Sequence, residues 1–483
     1  MKTKNLLAII PLALLCACAS NESDTAKTPT VYWKAPKAAL PENYIAPSQI
    51  LDDKILDQAK DTRAKKATLD LPDLIDIALE NNTTTRIYWF RAKQYAAQKG
   101  QANSAYLPTL DIGASVSRAK LKSASASYPP IGSYWQTGYG PTLELNWLLY
   151  DFGKREATSL AAKEALRAAN FDYNQSVQDL VLNVNEAYFA LYSAKGSVKA
   201  ARASLNDAKT AYDAARAKFK EGVGTKQDML RALANSKNAQ FVLEQNIAQV
   251  ESCNAKLAQV LGVEISENLK VSDNVNIPAS TQAKERVETL MAQSLKRREN
   301  ILAAYASLRA AQAETKAEKL DYLPKISFVG SGTWTDYTDS PYTNAPNYNY
   351  AGGFALSWNI FDGFNRQYKI VGKKAAERAQ AQTLKAQMLA VISSVWENYY
   401  AYKSAVKQVE SSSAAVNASK ESYNATKTAY ENGVSSLTDL LSAQSYLATA
   451  RQQHVSAKAS LALAVARLAH ATGTFFNEAA TEE

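Results

Sequence analysis

The sequence is poor in the residues that form most catalytic and metal-binding sites. Among its 483 residues are 2 histidines and 3 cysteines, and neither His454 nor His470 has Cys, Asp or Glu at the spacing of a metal-ligand set. The chain also lacks a phosphate-binding glycine loop, a dinucleotide-binding fingerprint and a nucleophile elbow. We therefore expect no catalytic residue, no enzyme activity, no metal and no non-covalent cofactor.

The basic residues outnumber the acidic ones but form no tract. The formal net charge is +9, from 55 Lys and Arg against 46 Asp and Glu. Proteins that bind nucleic acid usually concentrate such charge in a patch or stripe, whereas here it is scattered along the chain. The charge therefore indicates a solvated surface, and no nucleic acid partner is expected.

Glycine and long apolar runs are also scarce. The chain has 18 glycines and abundant alanine, which favours long helices because alanine has the highest helix propensity. After the N-terminus no run of about 18 apolar residues occurs, so no membrane-spanning helix is predicted in the mature chain. Attachment to a membrane would therefore depend on a β-barrel or on a lipid.

The N-terminus has the features of a bacterial lipoprotein signal. Two lysines and an apolar stretch too short to span a membrane predict a signal peptide at residues 1–17. The tetrad Leu15-Cys16-Ala17-Cys18 resembles a lipobox, which implies that Cys18 is acylated; Cys16 fits worse because a leucine would precede it. Ala19 in place of aspartate resembles lipoproteins sent to the outer membrane. The alternative is a plain signal peptide with an incidental cysteine. Cys253 is then left without a disulfide partner and is expected to pack as a small apolar residue.

The mature chain is a tandem duplication. The stretch EGVGTKQDML, from Glu221, is matched by ENGVSSLTDLL, from Glu431, so that Gly222 and Gly433 are 211 positions apart. Repeats signal one supersecondary unit used more than once. The predicted division is a lipidated N-terminal segment at 18–71, a first repeat at 72–262, a linker at 263–283, a second repeat at 284–473 and a tail at 474–483.

Each repeat has the same predicted order of elements. A helix is broken by Leu-Pro, two strands follow, and a long helix then turns into a shorter returning helix. The predicted bounds are helices at 72–105 and 284–321, first strands at 110–118 and 326–334, long helices at 154–220 and 366–430, and returning helices at 225–261 and 436–472. The second strands alternate, with one apolar face formed by Leu143, Leu145, Trp147 and Leu149 and, in the second repeat, by Phe354, Leu356, Trp358 and Ile360.

The long helices carry an apolar residue at every seventh position. The first series begins at Val177 and ends at Phe219, the second begins at Met388 and ends at Tyr430, and alanines follow most positions of the first series by three. Such a repeat predicts a left-handed supercoil, and a helix of this length would reach about 100 Å. The alternative on the heptads alone is a rod-like dimeric coiled coil.

Four strands with one apolar face cannot close a barrel by themselves. Lipid tolerates no open sheet edge, so copies of the chain must close the sheet together. Two copies would give eight strands and a filled interior, whereas three would give twelve strands and a passage. The predicted fold is therefore mainly α with a small β part: duplicated coiled-coil hairpins forming an α-barrel, and four strands per subunit in a trimeric twelve-stranded transmembrane β-barrel.

Short motifs in this order resemble one protein family. They are Ala78-Leu79-Glu80-Asn81-Asn82 in the first helix, Ala105-Tyr106-Leu107-Pro108 and Tyr322-Leu323-Pro324 before the strands, and the stretch from Trp147 to Gly153 after them. With the duplication and the lipobox, the whole mature chain resembles the TolC-type outer-membrane factor family, in its efflux-lipoprotein branch.

The resemblance implies a homotrimer that is lipid-anchored in the outer membrane of a Gram-negative bacterium and extends into the periplasm. A periplasmic adaptor protein would dock on it, an inner-membrane efflux transporter would drive export, and the channel would conduct small molecules such as drugs passively. A duct for type I protein secretion has the same architecture and is the alternative. A periplasmic adaptor lipoprotein or a secreted filament fits less well, because neither needs two hairpins together with four apolar strands.

The repeated turn is predicted to lie at the tip of each helical hairpin. The resemblance implies that the adaptor docks there, on Gly222, Val223, Gly224 and Thr225 and on Gly433, Val434, Ser435 and Ser436. Asp228 and Asp439 follow as the acid of a Ser/Thr-x-x-acid pattern, which predicts a cap for the returning helix. The resemblance also implies that these acids form rings that narrow the aperture and favour cations, and both roles remain open.

Overall fold

The computed structural model describes residues 28, 30, 33, 69–122, 133–263, 271–272, 285–338 and 347–475. Cys18 and the predicted signal peptide lie outside these described residues. Every helix within them falls short of the length or the hydropathy that crossing a membrane requires.

Eight helices and four strands make up the two repeats within the described ranges. In chain order they are α1 (Leu71–Asn81), α2 (Thr83–Ser104), β1 (Thr109–Leu121), β2 (Tyr134–Tyr150), α3 (Lys154–Lys220), α4 (Lys226–Leu261), α5 (Val287–Arg297), α6 (Glu299–Leu320), β3 (Lys325–Thr338), β4 (Asn347–Ser357), α7 (Asn365–Glu431) and α8 (Leu437–Thr472). The predicted mainly helical fold with a small sheet is confirmed.

The duplication extends to the lengths of the helices. The long helices α3 and α7 both have 67 residues, and the returning helices α4 and α8 both have 36. The first three heptad positions of α3, Val177, Val184 and Leu191, are buried as predicted, whereas Val198, Leu205 and Tyr212 are half-buried and Phe219 is exposed. The alanines that follow these positions by three are all buried: Ala187, Ala194, Ala201, Ala208 and Ala215. Small side chains on this seam let neighbouring helices approach closely.

The helix predicted at 72–105 is in fact two helices, and so is the one predicted at 284–321. The backbone is extended at Asn82 and at Arg298, which end α1 and α5. The Asn82 side-chain oxygen accepts the amides of Thr84 at 2.8 Å and Thr85 at 3.3 Å. A side chain that bonds the following amides starts a new helix, because it satisfies donors that would otherwise bond to the preceding turn.

The four strands form one antiparallel sheet in the order β1-β2-β3-β4. Its register places apolar residues opposite one another on one face, as in the pairs Ile112–Leu143, Trp147–Phe328 and Phe328–Phe354. The neighbouring rows, such as Asp111–Glu144 and Glu144–Ser331, put polar side chains on the other face. The predicted alternation is therefore confirmed across the sheet.

The apolar face is shorter than predicted in the second repeat. Strand β4 ends at Ser357, which pairs with Lys325, so Trp358 and Ile360 lie outside the sheet. Pro324 precedes Lys325 and has no N–H for the ladder, so β3 cannot extend to pair with them. Strand β2 pairs with β1 on one side and with β3 on the other, and its pairing with β3 extends further along the strand. The pairing shifts register between Leu148 and Tyr150, where β2 ends.

The chain divides into two compact units. The first contains the sheet and comprises the described residues within 92–168 and 304–384.

In this first unit, one arginine in each repeat stabilises the connection between the second strand and the long helix. Arg155 and Arg366 form ion pairs with Asp151 and Asp362, with Nε–Oδ2 distances of 3.3 Å and 3.1 Å. Each guanidinium also stacks on the tyrosine of the Tyr-Leu-Pro motif, at 4.8 Å and 4.7 Å from the ring centre. These contacts account for the recurrence of that motif before each hairpin.

The second unit comprises residues 26–91, 169–303 and 385–483, of which the described ones are mostly helical. Within it, α3 of the first repeat packs antiparallel along α8 of the second repeat. Two ion pairs join these helices. Glu186 Oε1 lies 2.8 Å from Arg467 Nη2, and Asp207 Oδ2 lies 2.8 Å from Arg451 Nη1. The hairpins of the two repeats are therefore held side by side in one chain.

Candidate functional site: the paired helical tips

Helix α3 ends in a glycine-dependent turn, here called the first tip (residues 218–228). The Val223 amide donates to the Lys218 carbonyl at 2.9 Å, and the Gly222 amide donates to the Phe219 carbonyl at 3.2 Å. This pair of bonds is the Schellman motif, which places a left-handed residue just after the helix. Gly222 takes that conformation with a φ of 76°, where a Cβ would be strained.

Helix α7 ends in the same way at the second tip (residues 429–439). The Val434 amide donates to the Ala429 carbonyl at 2.8 Å, and the Gly433 amide donates to the Tyr430 carbonyl at 3.1 Å. Gly433 has a φ of 79°. The two tips thus share one backbone geometry, as the duplicated turn predicts.

The valine of each tip points its side chain toward solvent. In a Schellman motif the residue after the glycine often packs back on the helix. Here Val223 is 77% exposed and Val434 is 83% exposed. Beside them, Gly224 lies so close to its helix that a Cβ would be 3.0 Å from Lys218, whereas Ser435 stands at the corresponding place in the second tip. Each tip therefore presents an exposed valine on a fixed backbone.

Each returning helix begins with a hydroxyl cap. The Thr225 hydroxyl accepts the Asp228 amide at 3.0 Å and donates to the Asp228 carboxylate at 2.7 Å. In the second tip the Ser436 hydroxyl makes the same two bonds with Asp439, at 3.1 Å and 2.6 Å. The Asp439 carboxylate also accepts the Ser436 amide at 3.1 Å, which completes a reciprocal capping box.

These hydrogen bonds favour the charged form of Asp439. The Ser436 hydroxyl, followed by the Ser436 amide and the Ser435 hydroxyl, holds the pKa of the Asp439 carboxyl below its ordinary value. The carboxylate is fully exposed, so the hydrogen bonds rather than burial determine the direction of the shift. Asp439 is therefore an anion that its own turn keeps oriented.

A lysine joins the first tip to the second. The Lys218 ammonium donates to the Tyr430 carbonyl and lies 4.3 Å from the centre of the Tyr430 ring. Burial raises the pKa of the Tyr430 hydroxyl, and the charge of nearby Asp228 raises it further. A cation thus satisfies a carbonyl at the C-terminal end of α7, where the helix dipole favours positive charge.

An apolar cluster of all four hairpin helices supports the tips. It contains the buried side chains of Tyr423, Tyr430, Leu437, Leu440 and Leu447 from the second repeat, and the buried alanines Ala211, Ala215, Ala232 and Ala443. The large side chains come from α7 and α8, and the small ones let the helices approach. The tips are therefore packed together within one chain.

A polar network lies next to this cluster. The Asp207 carboxylate accepts Arg451 at 2.8 Å, and the Asp207 carbonyl accepts the Gln444 amide at 2.9 Å. Gln444 in turn accepts the Asn235 amide at 3.0 Å, which links α3, α8 and α4. Burial, followed by the charge of Asp207, raises the pKa of the Tyr423 hydroxyl. Buried polar groups that are satisfied in this way hold helices in one register.

The candidate residues of the first tip and those of the second tip thus lie close together. Some of the residues that support them have no prediction from the sequence. Lys218 and the network of Asp207, Gln444 and Arg451 carry no local sequence signal, because their partners lie in the other repeat. Tyr430 was predicted as a seam residue of the heptad, which is one part of its role. The acid rings at the aperture remain a prediction.

The described residues hold no group of three or more His, Cys, Asp or Glu that could bind a metal ion. The two histidines serve in helix contacts instead. His470 lies 2.8 Å from Asp179, and His454 lies 3.1 Å from the Ser412 hydroxyl. Cys253 is buried, as expected of a small apolar residue.

Comparisons with known proteins agree on one family. The family model described as outer membrane efflux protein matches residues 74–263 and 290–474, more than half of the chain. Protein CyaE of Bordetella pertussis is 27% identical over 345 residues, which are 71% of this chain and 71% of that protein. The pyoverdine export outer membrane protein OpmQ of Pseudomonas putida is 24% identical over 405 residues, 80% of this chain and 79% of that protein. The crystal structure of the CmeC outer membrane channel of Campylobacter jejuni has 20% identity and a TM-score of 0.74, with 92% of both chains covered.

Proposed function

Because the chain belongs to the outer membrane efflux protein family, as its resemblance to TolC-type outer-membrane factors predicted, we propose that three copies form a passive conduit. It carries small molecules, including drugs and toxic compounds, from an inner-membrane pump across the periplasm and the outer membrane. The observation that carries this proposal is the sheet whose four strands place apolar residues on one face and polar residues on the other.

The sheet fits a membrane barrel that only several copies can close. Ile112 is 82% exposed on the apolar face. Exposing an apolar side chain to water is unfavourable, and contact with lipid removes that free-energy cost. Strands β1 and β4 each have one unpaired edge, which lipid does not tolerate. Three copies supply twelve strands, and the polar face with Asp111 and Glu144 then lines the passage.

The tips supply a docking surface for a periplasmic adaptor protein. Val223 and Val434 are exposed apolar side chains on rigid turns, and three copies would present six of them. Small apolar anchors held on a fixed backbone bind with little loss of conformational freedom. Asp228 and Asp439 would add negative charge near the aperture, which favours cations.

Energy for transport must come from a partner. The sequence has no phosphate-binding loop, in keeping with a passive conduit. An inner-membrane transporter is therefore the third component of the proposed assembly. The relative named for pyoverdine export supports a small molecule as cargo.

Cys18 is proposed to carry a lipid that anchors the N-terminal segment in the outer membrane. The supporting observation is the lipobox-like tetrad that ends at Cys18. Cys18→Ser is expected to abolish incorporation of labelled fatty acid, whereas Cys253→Ser, a buried cysteine, should leave it intact. Persistent labelling of the Cys18 variant would refute the assignment.

Deletion of the gene tests the proposed function. Cells that express the adaptor and the pump but lack this chain should become more sensitive to dyes, detergents and antibiotics, because the outer membrane step is lost. The wild-type gene should restore resistance. Unchanged susceptibility, together with loss of a secreted protein from the medium, would favour the type I secretion duct instead.

A further inference from the structure

The two repeats pack the same helices unequally, although their sequences match at a spacing of 211. Along α3, the Ser197 side chain is 5% exposed because α8 covers it; its counterpart in α7, Gln408, is exposed. On the returning helices, Gln452 of α8 contacts α3, whereas its counterpart Phe241 in α4 is 67% exposed. One face of α7 and one face of α4 therefore lack the cover that their counterparts have.

The contacts between α3 and α8 indicate which contacts the corresponding exposed faces of α7 and α4 can make. Gln452 Nε2 donates to the Ser197 hydroxyl at 2.8 Å, and Arg467 Nη2 lies 2.8 Å from Glu186. The helices approach each other closely at Gly196, where a Cβ would meet the Val455 side chain at 2.6 Å. These contacts define the register of α3 along α8.

The same register applied to α7 and α4 brings opposite charges together. The counterparts of Glu186 and Arg467 are Glu397 and Lys256. The counterparts of Gly196 and Val455 are Lys407 and Glu244, again one cation and one anion.

We propose that the open face of α7 is covered by α4 of a second copy of this chain, antiparallel and in the register that α3 and α8 have within one copy. Glu397 then pairs with Lys256 of the next copy, and Lys407 pairs with Glu244 of the next copy. This inference rests on the proposed assembly of several copies and adds which helices meet and at which residues. Repeating the contact around three copies closes a ring in which every long helix lies beside a returning helix.

All four charged side chains are exposed and so are available for this pairing. Lys407 contacts Glu410 of its own helix at 3.3 Å, Lys256 contacts Gln259 at 3.3 Å, and Glu397 accepts the Ser393 hydroxyl at 3.0 Å. These are exposed contacts within one helix, which are weak and change readily. Charges across such an interface act mainly on register, because a shifted pairing would place like charges together.

Carbodiimide coupling of the full chain in outer-membrane vesicles tests the register, because it joins a lysine to a carboxylate in direct contact. Equal amounts of unlabelled and ¹⁵N-labelled chains are expressed together, and coupled peptides are identified by mass spectrometry. We expect Lys407–Glu244 and Lys256–Glu397 links that join a light to a heavy chain. Lys373 and Glu314, 2.7 Å apart in one chain, give the internal control of a link within a single label.

A matched pair of variants sharpens the result. Lys407→Arg keeps the charge but cannot be coupled, so the Lys407–Glu244 link should fall to background while Lys256–Glu397 persists. Lys373→Arg should remove only the internal control. Intact oligomers that give the control link and neither mixed link would overturn the proposed register and leave the channel intact. A chain that is monomeric in the membrane would overturn the proposed function as well.

Discussion

At the scale of single residues, the two tips differ in the number of hydrogen bonds that the carboxylates of Asp228 and Asp439 accept. The Asp439 carboxylate accepts three hydrogen bonds, from the Ser436 hydroxyl, the Ser436 amide and the Ser435 hydroxyl. The Asp228 carboxylate accepts the Thr225 hydroxyl. Asp439 is therefore committed more strongly to its cap, and Asp228 retains more freedom to interact with a passing ion or with a partner.

The cap at Asp439 should weaken in acid. Because its pKa is lower in the folded chain than the ordinary 3.8, the carboxylate stabilises the turn above that value, and the contribution disappears as pH falls through the folded pKa. Hydrogen-exchange protection at the start of α8 should therefore decrease from about pH 5 toward about pH 3. Asp439→Asn should give low protection with little pH dependence.

Ser436→Ala provides the control for this prediction. It removes the main donor to Asp439 and the N-cap together, so it should lower the stability of the first turn of α8 by about 1 kcal/mol. Thr225→Ala should affect α4 and leave α8 unchanged. Wild-type protection that is constant across this pH range would show that the carboxylate does not support the turn.

At the scale of elements, the sequence predicts what is local and misses what depends on a partner. The bounds of α3 and α7 are predicted within a residue, and the tip glycines Gly222 and Gly433 mark the C-terminal end of each helix. The break at Asn82 was missed, since the helical pattern continues across it and only the side-chain bonds start a new helix. The end of β4 at Ser357 was missed because it depends on Pro324 in the neighbouring strand. The Lys218–Tyr430 contact was missed because it joins different repeats.

That contact between elements leads to a prediction about the aperture. Lys218 ties the end of α3 to the end of α7, so Lys218→Met, which keeps length but removes the donor, should loosen the tips. We expect a higher single-channel conductance in planar bilayers. Lys220→Met removes a charge two residues away, at the end of the same helix, and should change conductance less. Equal effects of both variants would mean that charge rather than the tie controls conductance.

At the scale of the whole molecule, one chain holds parts that only an assembly completes. The sheet has two open edges and an exposed apolar face, and α7 and α4 have faces whose counterparts in the other repeat are covered. The duplication accounts for the open sheet edges and for the uncovered helix faces. One repeat packs against the other repeat inside the chain, and the same surfaces can pack in the same way against the next copy. Closure by identical copies then leaves no unmatched repeat.

The two faces of the sheet should respond oppositely to charge. Ile112 and Asp111 are neighbours in β1 and point to opposite faces, so they form a matched pair. Ile112→Lys places a cation on the lipid side, which costs about 2–4 kcal/mol near the middle of a bilayer. Asp111→Lys stays on the polar side and should be tolerated. The amount of heat-resistant oligomer in outer membranes should therefore fall for Ile112→Lys and remain near wild type for Asp111→Lys. Equal yields of the two variants would contradict the assignment of the apolar face to lipid, and with it the closure of the sheet by several copies.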